Sequence, residues 1–345
     1  MADQDTTQTK QANPFGKETR LRVLGEYFAD AGAVTANNAW EHVYKCLLWM
    51  NEAAGLAHIY DSNHMQPGGN FHGRAVRFTD ALCAAWQIDR SALPHLIDRL
   101  FKGCVLAWRA TSPARPDAEL ESELTSSIAK ILREEGVPAD RGALVARRIE
   151  TLSRDFFTVG NKRKNALGEG FEDLLWLLLQ RVANVPSESM ALRMPVSQLP
   201  GFRRAMPRRP GTRQEREPRP DIALIESSIT HLIVTAKWSM RQDRETQFQS
   251  EFSSYQRNKV QSTELGFALV TNEFDVARLD NVARASPTGM GGYIFHTIYH
   301  INPDLLKVAQ GDRIGSVAHW IGTGKIQSLG DWLREMQHRF GATSP

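Results

Sequence analysis

From about Thr19 to Arg154 the apolar positions recur at helical spacing. Leu21, Val23, Leu24 and Phe28 form one set, and Trp40, Val43, Tyr44, Leu47 and Leu48 a second. Ala81, Leu82, Ala85 and Trp86 make a third, and Leu96, Ile97, Leu100 and Phe101 a fourth, with 117–135 and 141–152 keeping the period. The pattern predicts five or six helices and little strand, interrupted by a Gly- and His-bearing loop at 64–74. After Asn161 the pattern changes. Leu167–Val182 reads as one strongly apolar helix, and a Pro- and Arg-rich stretch follows from Pro186 to Pro218. Two β-type runs, 221–225 and 231–237, are split by a turn at Ser227 and Ser228. A polar helix over 244–261, strands at 266–272 and 293–300, and a closing amphipathic helix over Leu329–Phe340 complete the chain. Helix, hairpin, helix and strand predict a mixed α/β core with a mixed central sheet flanked by helices. An all-α region precedes it.

The 345 residues are 41% hydrophobic and 23% charged, enough apolar material for a sizeable core and close to two domains in length. The change of pattern puts the expected boundary near 155–165, giving a helical domain over 1–158 and an α/β domain over 159–345. No apolar run approaches membrane-spanning length. The polar N-terminus resembles neither a secretory signal nor a transit peptide, so a bacterial cytoplasmic protein with no membrane partner is expected. Cys46, Cys83 and Cys104 are odd in number and far apart, which suits free thiols in a reducing compartment.

Net charge over the whole chain is only +3, but residues 161–260 carry 17 Lys and Arg against 11 Asp and Glu. Seven Arg and two Glu fall within 203–219. Guanidinium groups hydrogen-bond planar anions in a fork, so such a stretch attracts phosphate. A solvated loop has the same composition.

Candidate chemistry collects around the hairpin. Asp221, after Pro220, opens one strand, and Lys237 ends the next, sixteen residues later. In an antiparallel pair these positions lie side by side. Glu169 and Glu172 stand near the start of the apolar helix, and Glu251 on the polar helix. Converging carboxylates suit Mg²⁺, and a lysine beside them can orient a water and stabilise charge on a phosphate. Arg244, Phe248, Glu251 and Tyr255 share one helix side. Trp238 reads as a core residue.

The order helix Glu, Pro-Asp on a strand, then a lysine closing the adjacent strand resembles the PD-(D/E)xK nuclease family over about Asn165 to Asn272. The residue two before Lys237 is Thr235 instead of an acid. Type II restriction endonucleases that read CCGG move that acid to the following helix, fourteen residues after the lysine, where Glu251 stands here. They also carry Arg-x-Asp-Arg four residues after the lysine, matched by Arg241, Gln242, Asp243 and Arg244. The chain is thus similar to the CCGG-reading group and, with its helical N-terminal part, to its BsaWI-like branch.

The resemblance implies a restriction-endonuclease-like core in which Asp221, Glu251 and Glu172 hold Mg²⁺ and Lys237 assists the attacking water. Glu172 is preferred as the helix carboxylate because the family pattern puts it there; Glu169 is the fallback. Arg241 and Arg244 would read guanines and Asp243 the cytosines, as forked donors match guanine O6 and N7 and a carboxylate accepts from cytosine N4. A salt bridge at a helix start is the plain alternative. Gln242, Glu169, Arg74 and Arg77 are further candidates for DNA contact, with an interhelical loop the simpler reading of the last two. The implied activity is cleavage of palindromic double-stranded DNA before the first C, leaving 5′ overhangs. A homodimer is the minimum assembly, a tetramer is within the group's repertoire, and a cognate cytosine methyltransferase is expected in the host. The N-terminal helices would dimerise or read flanking bases. The rivals are a structure-selective or repair nuclease of the same superfamily and a non-catalytic DNA-binding regulator.

Three other signals carry no function. Gly322 to Lys325 lacks the Ser or Thr of a P-loop and reads as a turn. Gly289 to Gly292 reads as a loop before a strand. His296 and His300 would share a strand face with no third zinc ligand in view, and no cysteine pair has zinc spacing.

Overall fold

A computed structural model describes residues 16–47, 67–69, 72–97, 99–100, 103, 126, 128–203, 217–240, 244–260, 264–287 and 292–341. The fold is mixed α/β. Helices α1 (Lys17–Asp30), α2 (Ala39–Leu47), α3 (His72–Trp86) and the short α4 (Leu93–Leu96) precede α5 (Ala139–Arg181). Then come β1 (Met190–Leu192), β2 (Ile222–Glu226), β3 (Ile229–Lys237), α6 (Arg244–Asn258), β4 (Gly266–Thr271) and α7 (Val276–Arg284). β5 (Thr297–His300), α8 (Pro303–Gln310), α9 (Ser316–Gly322), β6 (Ile326–Ser328) and α10 (Leu329–Phe340) close the chain.

The six strands stand in sequence order in one sheet. β1, β2 and β3 form an antiparallel meander, and β3 to β6 run parallel. β4, in the middle of the parallel part, is a nearly continuous apolar run because helices cover both faces. Phe252 and Tyr255 of α6 meet the ring of Phe267 in β4. Trp332 of α10 stacks on Tyr299 of β5, whose partner in β4 is Val270. Phe267 and Val270 are three residues apart and so point to opposite faces, which puts α6 and α10 on opposite sides of the sheet.

Several elements differ from the sequence expectation. The loop ends earlier than 74: α3 starts at His72, so Arg74 and Arg77 are helical. Of 293–300 only the last four residues are strand. β1, β6, α7, α8 and α9 were not anticipated; each is short, and their apolar residues are too few to show a period. The hairpin, α6, β4 and α10 stand close to where the pattern puts them. Gly322–Lys325 ends α9 and forms a turn, with Gly324 at φ +76°.

The expected divide at 155–165 falls inside α5, which runs unbroken from Ala139 to Arg181. One apolar core joins Leu24, Tyr44 and Leu47 of the first helices to Phe171, Trp238, Phe274 and Trp332. Tyr44 packs edge-on against Trp238, and Phe171 meets Trp238 from α5, so Trp238 is a core residue. Cys46 is a buried free thiol and Cys83 a half-buried one; Cys104 lies outside the described residues. No described helix is long and apolar enough to cross a membrane.

The start of α10 is pinned to the N-terminal part. Ser328 and Asp331 cap the helix reciprocally, and a Cβ at Gly330 would stand 2.5 Å from the backbone oxygen of Ala36. Backbone cannot yield as a side-chain tip can. Gly330→Ala is expected to lower stability by about 1–3 kcal/mol in urea unfolding. An unchanged midpoint would show that the two segments separate freely.

Candidate active site

The meander brings Asp221 and Lys237 together. Ile222 pairs with Val234, so Asp221 stands opposite Thr235 at the open end of the hairpin. Its Oδ2 accepts from the Ala236 backbone N–H at 2.7 Å and from Lys237 Nζ at 2.6 Å. Both side chains are four-fifths buried or slightly more. A backbone donor and an ammonium on one oxygen fix the carboxylate in place, leaving Oδ1 as the further acceptor.

Thr235, the residue found where an acid was expected, lies beside this pair. Ile233 pairs with Phe267, so Thr235 and Lys237 share the sheet face that α6 covers. Glu251 belongs to that helix, one turn before Tyr255, and accepts from Gln247 Nε2 at 2.5 Å. Burial first, then the carboxylates of Glu251 and Asp221, hold the Tyr255 phenol far above its usual range. An acid supplied from α6 thus approaches the same face that an acid at 235 would occupy.

Glu172 completes the group from α5. Burial, then the charge of Asp221, push its carboxyl up to about 7, against the pull of Arg193 and Lys237. Glu169, its alternative, is half exposed and pairs with Arg20 at 2.6 Å. Glu172 is the buried one of the two, and Arg193 links it to the Asp221 carbonyl.

Arg193, Asp173 and Arg20 were missed in the sequence. Arg193 follows β1 with φ +51°, a left-handed conformation that costs a non-glycine residue about 1–2 kcal/mol. Its N–H donates to the Asp221 carbonyl at 3.0 Å, and its guanidinium donates to Glu172 at 2.7 Å and to Asp173. Asp173 is fully buried and also accepts from Arg20 of α1 at 2.8 Å. A sequence signal existed only for Asp173, a second acid beside Glu172 where the apolar run begins.

A second buried acid holds the chain just beyond Lys237. Glu273 accepts from the N–H groups of Met240 at 2.6 Å and Asp275 at 2.8 Å, while Arg278 donates to the Met240 carbonyl at 2.8 Å. Burial raises the Glu273 carboxyl to about 7. The residues leading to α6 are thereby fixed at Met240. Arg241, Gln242 and Asp243 lie outside the described residues, as does the side chain of Arg244, the first residue of α6. Most of the basic stretch, 204–216, lies outside them too.

No protein-family model matches this chain, and no curated protein sequence does. The geometry alone describes the site.

Of the remaining candidates, Arg77 caps α8, donating to the carbonyls of Val308 and Ala309 at 2.7–3.2 Å. Arg74 stands in the same helix near the charges of Arg313, Asp275 and Arg77. His296 and His300 do not form a pair: His300 is buried between the Glu273 carbonyl and the Asn302 N–H, and half-exposed His296 accepts from the Phe267 N–H. Among the described residues, no three His, Cys, Asp or Glu side chains stand close enough to hold a metal by themselves. Magnesium is commonly held by one or two carboxylates with waters and substrate phosphates. Asp221 and Glu172 supply that donor chemistry, and Arg193 ties the two together, its N–H on the Asp221 carbonyl and its guanidinium on Glu172.

The Glu172 shift has a testable sign. A carboxyl at about 7 in the fold and 4.5 in the open chain binds more protons when folded. Its stabilising contribution is complete below pH 4.5 and lost as pH rises to about 7. Glu172→Gln removes this, so the stability of the variant minus that of the wild type should climb from pH 4.5 to 7 and level off. A difference that stays flat across the window in metal-free urea titrations would count against the burial of this acid beside Asp221.

Proposed function

We propose that this protein is a Mg²⁺-dependent nuclease with a PD-(D/E)xK active site. In this reading it is a type II restriction endonuclease that cuts double-stranded DNA at a palindrome containing CCGG. The carrying observation is the Asp221 carboxylate held by the Ala236 N–H and the Lys237 ammonium, with Glu172 joined to the same residue through Arg193. Glu251 on the helix over that face supports the arrangement in which the second acid comes from α6 instead of position 235.

Asp221 and Glu172 would hold the cation together with waters and the substrate phosphate, with Glu251 on the helix over the same face as the further acid. A bound divalent ion supplies a Lewis acid for the phosphoryl oxygens and makes water more acidic. Lys237 orients the attacking water and neutralises charge as it gathers on phosphorus. The water oxygen bonds to phosphorus, the bond to the 3′ oxygen breaks in line, and that oxygen takes up a proton. The products are a 5′ phosphate and a 3′ hydroxyl. Arg193 and Asp173 keep Glu172 oriented. Base reading is assigned to Arg241, Asp243 and Arg244 on their spacing from Lys237, with forked donors for guanine and an acceptor for cytosine. A homodimer matches a palindromic site.

The first test is digestion of phage DNA with Mg²⁺ or with chelator, followed by sequencing of the fragment ends. Ends beginning 5′-CCGG only with Mg²⁺ are expected. Cuts that follow DNA shape would support a structure-selective nuclease, and tight binding with no cutting a regulator. Asp221→Ala should abolish cleavage and leave DNA binding intact. Arg244→Ala should cost about 1–3 kcal/mol of discrimination between CCGG and a one-base variant, measured as a ratio of cleavage rates. An unchanged ratio would remove Arg244 from the reading set.

A further inference from the structure

Arg20 and Asp173 are 153 residues apart in sequence and buried together, 1% and 0% exposed. Arg20 Nε donates to Asp173 Oδ2 at 2.8 Å, and its Nη2 stands 2.6 Å from Glu169 Oε2. The other Asp173 oxygen holds Arg193, and Arg193 holds Glu172 at 2.7 Å and the Glu169 carbonyl at 3.2 Å. An unbroken chain of ion pairs therefore leads from the first helix to the Glu172 carboxylate. Removing one member of such a buried chain leaves its neighbour without a counter-charge, and the neighbour must move or take up a proton.

We infer that Arg20 is a positioning residue for the cation site. It fixes Asp173, Asp173 fixes Arg193, and Arg193 ties Glu172 to Asp221. The inference rests on the nuclease reading and goes beyond it. It makes α1 a working part of the site in addition to any role in dimer contacts or flanking DNA.

Mn²⁺ alone, titrated into the full chain and read from the electron paramagnetic resonance of the free ion, tests this without DNA or turnover. Arg20→Met should weaken Mn²⁺ binding by about 10-fold, the usual cost of losing a group that orients a ligand. Arg20→Lys, which keeps a charge beside Asp173 but loses the fork, should recover part of the loss. Leu24→Ala is the control: it opens a cavity on the same helix, so it should lower the melting temperature with Mn²⁺ affinity unchanged. Wild-type affinity in a folded Arg20→Met would overturn the inference, and so would equal weakening in Leu24→Ala. If Arg20→Met does not fold, Arg20→Lys against Leu24→Ala makes the same comparison. A wild type that binds Mn²⁺ and cuts DNA, with Arg20 variants unaffected, overturns the inference alone. A wild type that neither binds Mn²⁺ nor cuts overturns the nuclease reading and the inference together.

Discussion

Like charges drawn into a half-buried place must be balanced, and the organisation of this site follows from that requirement. Asp221 at the end of the meander and Glu172 of α5 are linked through Arg193, and Asp173 is buried beside Glu172. Three cations meet these acids: Lys237 at Asp221, Arg193 between Glu172 and Asp173, and Arg20 behind Asp173. The strain at Arg193 fits this account. Its left-handed backbone lets one residue give its N–H to the Asp221 carbonyl and its guanidinium to α5. Backbone strain at a functional site persists where its surroundings over-determine it, and four separate contacts do so here.

Much of the framework was legible in the sequence because it repeats. The hairpin, α6, β4 and α10 each carry several apolar residues at one period. The Asp221–Lys237 pair was legible because a hairpin's geometry follows from its length. Short elements such as β1 and β6 were not legible, since three residues cannot display a period. Arg193 and Arg20 were invisible for another reason. Arg20 has its partner 153 residues away and looks like solvated helix surface until that counter-charge is found, while Arg193 is one of many arginines in a Pro- and Arg-rich stretch. His300 illustrates the converse: alternation suggests a face shared with His296, whereas a central parallel strand buries His300 completely.

The N-terminal helices belong to the same body as the sheet. Tyr44 donates to Asn272 at the end of β4 at 2.8 Å and packs on Trp238, which follows Lys237. Arg334 of α10 reaches Asn37 at 2.8 Å. Through Tyr44 the second helix thus packs directly behind the strand that ends in Lys237.

The bracket at Met240 has a consequence for how such a molecule can diversify. Glu273 and Arg278 hold both the N–H and the carbonyl of Met240, and α6 begins at Arg244. Three residues, 241–243, therefore connect two anchored points. Lys237 lies on one side of this insert and Glu251 on the other, each secured by its own element. Changes within this tract need not move either, so its sequence can vary while the Asp221–Lys237 pair stays as it is. Evolvability here comes from rigidity on both sides of a short tract.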